Sequence, residues 1–125
     1  MKKKILIVDD DNNIAEMISD FCIVFGFETK ILNGGENIVP LVKSYNPDLI
    51  TLDLMMPKVS GLEAMEQLKK DAGTKDIPII IISAIVKHKE VQQWLKDYKW
   101  VIEKPLSSKG LKQTIRKILP ETQAV

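Results

Sequence analysis

Leu49-Ile50-Thr51-Leu52-Asp53-Leu54-Met55-Met56-Pro57 is an apolar run broken by one carboxylate, with Pro47 before it and Pro57 at its end. A run this short and this apolar reads as a strand covered on both faces, the situation in a parallel sheet with helices on either side. Asp53 falls where the strand leaves the core. A carboxylate is costly inside a core and is seldom buried without a partner. Asp53 therefore either points away or belongs to a polar site, and the rest of the chain decides which.

Upstream, Ile5-Leu6-Ile7-Val8 is a first buried strand that ends in Asp9-Asp10-Asp11. Asn12 or Asn13 can cap a helix whose Ile14, Met17, Ile18, Phe21, Cys22 and Phe25 fall on one stripe, and Gly26 ends it. Glu28 to Leu32 is a more polar second strand, closed by the turn Asn33-Gly34-Gly35. Pro40 is tolerable only in a first turn, so a short helix is expected from about Val39 to Tyr45. Downstream, a third helix carries Leu62, Met65 and Leu68 and is closed by Gly73. Ile77 to Ile82 is the most strand-like run and ends in Ser83-Ala84. A fourth, weakly patterned helix is expected over Val86 to Lys96. Trp100-Val101-Ile102 is a fifth strand ending in Glu103-Lys104-Pro105. Ser107 or Ser108 caps a last helix with Leu111, Ile115, Ile118 and Leu119 inward, and Pro120 stops it.

Strand then helix, five times over, implies right-handed crossovers and a parallel sheet. The expected fold is α/β: a doubly wound, flavodoxin-like (βα)5 domain with strand order 2-1-3-4-5, spanning residues 1–120 and followed by a short tail over 121–125. In such a sheet all carboxyl ends lie on one edge, and ligands bind there at the switch point. Four of the five strands end in a polar group: Asp9 and Asp10, Asp53, Ser83, and Lys104. The strand order crowds the three acids into one pocket, with Ser83 and Lys104 on its far wall.

Three carboxylates at close range repel strongly. A hard divalent cation relieves that repulsion, and oxygen-only ligands favour magnesium. A metal held by acids, a nucleophilic acid and a lysine together suit phosphoryl transfer, which needs charge neutralisation and positioning above all. An aspartate can accept the group as an acyl phosphate; Ser83 could then hydrogen-bond its oxygens and Lys104 pair with them.

Composition excludes several classes. The chain has 125 residues, 45% hydrophobic and 28% charged, with net charge +1, which fits one soluble domain without a dominant basic nucleic-acid surface. Cys22 is the only cysteine and His88 the only histidine, so neither a disulfide within the chain nor a soft-metal site is expected. No apolar stretch is long enough to span a bilayer, and the run after Lys2-Lys3-Lys4 is too short for a signal peptide. A cytoplasmic location is expected. His88 reads as exposed, and Trp94, Tyr98 and Trp100 as packing residues.

The set formed by Ile5-Leu6-Ile7-Val8-Asp9-Asp10-Asp11, Asp53-Leu54-Met55-Met56-Pro57 with Gly61, Ile82-Ser83-Ala84, and Lys104-Pro105 resembles the receiver domain of two-component response regulators. The resemblance covers essentially the whole chain, in order. It implies phosphoacceptance at Asp53 from a histidine kinase or phosphotransfer protein. It implies magnesium bound by Asp10, Asp53 and the Met55 backbone carbonyl, with Asp9 acting through water. It makes Ser83 the switch hydroxyl and Lys104 the phosphate-pairing lysine, followed by a cis bond to Pro105. Two features depart from the family. Val101 stands where a switch aromatic is usual, with Trp100 beside it, and the approach to the fifth strand lacks the usual Gly-Ala-Asp motif.

Three functions compete. The leading one is a stand-alone phosphoacceptor, monomeric or weakly dimeric, that signals to a downstream protein through the fourth helix, fifth strand and last helix, with no direct nucleic-acid or membrane contact and no turnover beyond its own phosphorylation and dephosphorylation. A degenerate receiver acting as a phosphorylation-independent binding module is the alternative. An aspartyl-phosphate hydrolase ranks last, because such enzymes generally need a second acid two residues after the nucleophile, and Met55 occupies that place.

Overall fold

A computed structural model describes residues 2–54, 56, 60–84, 89, 93, 96 and 98–120. Five parallel strands form one sheet: β1 (Lys4–Val8), β2 (Glu28–Leu32), β3 (Leu49–Leu52), β4 (Ile79–Ser83) and β5 (Val101–Glu103), in the order β2-β1-β3-β4-β5. Four helices lie among the described residues: α1 (Asn12–Val24), α2 (Ile38–Tyr45), α3 (Gly61–Lys70) and α4 (Ser108–Ile118). The helix expected over Val86 to Lys96 falls largely outside the described residues, as do His88 and Trp94.

The unbroken apolar runs are explained by two cores, one on each face. Leu6, Val8, Ile50, Leu52, Ile79 and Ile81 pack with Ile38 and Val42 of α2 and Ala64, Met65 and Leu68 of α3. Ile5, Ile7, Leu49, Ile80 and Ile82 pack with Ala15, Ile18 and Cys22 of α1 and Leu111 and Ile115 of α4. Successive strand residues serve opposite faces, so no position of a central strand is left for a solvated side chain. Each buried aliphatic side chain contributes about 1.5–3 kcal/mol relative to exposure. The polar strand β2 is an edge, with alternating exposed residues.

Several boundaries differ from expectation, each for a local reason. Asp11, rather than Asn12 or Asn13, caps α1: it is extended, and its Oδ1 accepts the N–H groups of Asn13 (2.9 Å) and Ile14 (3.2 Å). A carboxylate also suits the positive end of the helix dipole better than an amide. Helix α2 starts at Ile38, which keeps Pro40 in the first turn. Helix α3 ends at Lys70, before Gly73, because Asp71 turns extended and the Thr74 hydroxyl takes the Leu68 carbonyl at 2.6 Å. Strand β4 starts after Pro78, and Trp100 precedes β5. Gly26, at φ +102, ends α1, and Ser107 caps α4.

Candidate functional site

The carboxyl ends of β1, β3 and β5 deliver the site. Asp9 follows Val8 directly, and its N–H donates to the Leu32 carbonyl at 3.1 Å. Asp53 follows Leu52, and its N–H donates to the Val8 carbonyl at 3.0 Å. The sheet ladder therefore runs on into both acids and fixes their backbones. Their side chains are almost wholly buried, whereas Asp10 is exposed. Asp9, Asp10 and Asp53 each offer a carboxylate oxygen within 4.8 Å of the others.

Lys104 enters from the end of β5. Its Nζ lies 3.1 Å from Asp9 Oδ2 and 3.5 Å from Asp53 Oδ1, with only 15% of its side chain exposed. A buried carboxylate needs such a partner. The second Asp9 oxygen, Oδ1, accepts the Asp11 N–H at 2.9 Å. Both Asp9 oxygens are thus engaged within the protein. Asp10 makes no protein hydrogen bond among the described residues and leaves its carboxylate to solvent or a ligand.

Ser83 ends β4, is fully buried, and accepts the Lys104 backbone N–H at its carbonyl, 3.1 Å. It lies on the same edge, one strand from Asp53 and bonded to the residue that pairs with it. The Lys104–Pro105 bond is cis. Met55 lies outside the described residues. Val101 is half-buried against the α2–α3 core with Tyr98, while Trp100 packs on the opposite core. The ring beside Val101 therefore does not replace the missing one, because alternation sends it to the other face.

Gly61 is required by a close approach. A Cβ there would collide with the Asp53 carbonyl oxygen and the Leu54 Cα, and the Gly61 N–H donates to the Leu54 carbonyl at 3.0 Å. The start of α3 is folded back against the strand end that carries Asp53.

Sequence reading missed one contributor. The Asn33 side-chain amide donates to the Asp9 carbonyl at 3.3 Å and to Asn12 Oδ1 at 2.6 Å. Asn33-Gly34 reads as a turn, and nothing in its spacing announces a contact with the acids.

A hard cation fits this donor set. Among the described residues, three carboxylates gather around one lysine, and the atoms they offer are all oxygen, the chemistry that magnesium takes. Asp9, Asp10 and Asp53 are the residues that would hold it.

The response regulator receiver domain family matches residues 5–116, and the chain belongs to that family: it is a receiver domain of two-component signalling. The DNA-binding response regulator MtrA of Mycolicibacterium paratuberculosis is 33% identical over 120 residues, covering 93% of this chain and 51% of that protein. The chain thus spans about half the length of the curated relatives it matches. A response regulator from Desulfuromonas acetoxidans superposes with a TM-score of 0.82 at 28% identity, over 94% of this chain and 96% of that one. The receiver domain of a sensor histidine kinase from Pseudomonas aeruginosa PAO1, solved with magnesium coordinated in its active-site cleft, reaches 0.86 over 95% and 98%; at 18% identity it speaks to the fold alone. Among the described residues, no helix is long and apolar enough to cross a membrane.

Proposed function

We propose that this receiver accepts a phosphoryl group on Asp53 from the phosphohistidine of a kinase or phosphotransfer protein, and that the change of charge alters a protein-docking surface. The observation that supports it most is the pairing at the sheet edge: a buried Asp53 beside a lysine that it shares with a second buried acid.

In the transfer, an Asp53 oxygen attacks phosphorus. An O–P bond forms as the P–N bond breaks, and the leaving imidazole nitrogen keeps the electron pair. Magnesium, when bound, supplies positive charge to the phosphoryl oxygens. As the receiver family implies, Asp10, Asp53 and the Met55 carbonyl would hold it directly and Asp9 would act through water, in keeping with the partners that both Asp9 oxygens already carry. Lys104 pairs with a phosphoryl oxygen once Asp53 carries the acyl phosphate, which draws its ammonium off Asp9. Ser83 hydrogen-bonds the same group. Ser83 ends β4 and Lys104 follows β5, so the docking face is the one built by the segment after Ser83, by β5 and by α4. With Val101 in place of a ring, the signal runs through Ser83 and the segment that follows it.

Labelling with acetyl phosphate tests the reading. Wild type should gain one phosphoryl group, labile in base, only with magnesium present. Asp53→Asn should gain none. Equal labelling of Asp53→Asn, or labelling indifferent to chelation, defeats the proposal and favours a receiver that only binds.

A further inference from the structure

We propose that Asn33 is a positioning residue for the acidic site: by clamping the Asp9–Asp10 peptide it sets how tightly the three carboxylates hold a divalent cation. This rests on the reading of Asp9, Asp10 and Asp53 as a cation-holding cluster.

Consecutive residues at the end of β2 grip both sides of Asp9. The Leu32 carbonyl accepts its N–H at 3.1 Å, and the Asn33 amide donates to its carbonyl at 3.3 Å. That carbonyl belongs to the peptide leading into Asp10, so the clamp fixes the plane from which Asp10 departs. The other two acids do not depend on it in the same way. Asp9 has its carboxylate held by the Asp11 N–H and Lys104, and Asp53 is paired with Lys104. Asp10 is exposed and has no such restraint among the described residues. Only its backbone holds it against repulsion from its neighbours, which would otherwise swing it outward. The second Asn33 hydrogen bond, to Asn12 Oδ1, ties the same amide to the first turn of α1.

Backbone conformation does not explain the residue type. Asn37 and Asn46 occupy the left-handed region that favours asparagine, and Asn33 does not. Its side chain is used for reach: a two-hydrogen donor that spans two acceptors across 24 and 21 residues of sequence.

The test is calorimetric titration of the full chain with magnesium chloride, beside metal-free thermal unfolding and metal-free amide exchange. Asn33→Ala should weaken magnesium binding by about three- to tenfold, the span of one partly solvated hydrogen bond and its geometry. Asp10 and Asp11 amides should exchange faster, with the metal-free unfolding temperature little changed. Asn12→Ala keeps the bond to Asp9 and should change affinity by less than about twofold. If Asn33→Ala folds poorly, Asn33→Ser, too short to span both partners, should show the same loss. Unchanged magnesium affinity in the Asn33 variants, or equal losses in the Asn33 and Asn12 variants, overturns the proposal. A wild type that binds no magnesium removes the cation reading itself, and this inference with it.

Discussion

The two edges of the sheet carry charge in opposite ways. At the amino edge, Asp48 Oδ2 accepts the Lys4 N–H at 2.8 Å, the Asp48 N–H returns a bond to the Lys4 carbonyl, and Tyr45 donates to Glu28 at 3.1 Å while Lys4 and Lys30 flank its ring. Most of these groups are partly or fully exposed, and their bonds close strand register. At the carboxyl edge, two acids are buried, a third stands beside them, and among the described residues one lysine serves the set. The first arrangement pairs its charges locally; the second crowds like charges at one buried point, an arrangement that suits a cation. Charged residues are equally visible in the sequence at both edges. Burial together with the clustering of like charge marks the candidate functional one.

That contrast predicts a clean separation between variants. Asp53→Asn and Asp10→Ala should abolish or nearly abolish magnesium-dependent labelling by acetyl phosphate, a loss of at least about a hundredfold for removal of the nucleophile or a charged ligand. Asp48→Asn should leave labelling at the wild-type level while lowering stability by about 1–2 kcal/mol, the cost of weakening a charged acceptor for a backbone N–H. Urea unfolding supplies the second number. A labelling defect in Asp48→Asn that exceeds its unfolded fraction would break the comparison. Gly61→Ala falls between the two classes. Its methyl would strike backbone that cannot move without moving Asp53, so a cost of about 1–3 kcal/mol should come with slower labelling of the folded protein.

The fold was legible because hydrophobic burial on two faces leaves a plain signature. Unbroken runs such as Ile79 to Ile82 admit few other readings, and alternation with helices orders the strands. The acids and Lys104 were legible because each sits within two residues of the end of such a run. What was not legible depends on contacts between distant turns. Asn33 looks like any turn residue until β1 and β2 pair and bring it over Asp9. The resting ion pair of Lys104 with Asp9, at 3.1 Å, belongs to the same class, because it joins β1 to the end of β5 across 95 residues of sequence. Helix ends shifted where a short polar side chain, Asp11 or Thr74, outcompeted the residue that composition favoured. Thr51 is a remaining oddity: its hydroxyl is buried in β3 without a hydrogen-bond partner among the described residues, and nothing around it accounts for it.

Lys104→Ala sharpens the comparison from the cationic side. Removing the ammonium leaves Asp9 and Asp53 without their shared partner, which costs stability, but it also removes the competitor for a bound cation. Magnesium affinity in calorimetry should stay level or rise a few-fold, about 1 kcal/mol or less in a site this close to solvent. The response of amide exchange to phosphorylation, expected mainly over Ala84 to Trp100, should shrink. A large fall in magnesium affinity would mean that Lys104 organises the acids rather than substituting for the metal.

The smallest effect belongs to the amino edge and concerns pH. Burial, and then the hydrogen bond and charge of Glu28, push the Tyr45 hydroxyl from its ordinary value of 10.0 up to about 12. The folded state therefore keeps this proton at pH values where the unfolded chain has lost it. Fewer protons on the unfolded chain mean that stability falls as pH rises. The contribution is complete below the unfolded value near 10 and is lost as pH climbs towards 12. Cys22, pushed up to about 12 by burial, acts in the same direction, so the wild-type slope alone does not isolate the tyrosine. The difference between wild type and Tyr45→Phe does. Phenylalanine keeps the ring between Lys4 and Lys30 and removes the titrating group, so urea unfolding of the variant should show a shallower loss of stability between pH 10 and 12. The difference should be small, because the ring edge is solvent-reached and water screens Glu28. Equal slopes in the two proteins would show that the Tyr45–Glu28 bond closes the edge without binding its proton any tighter.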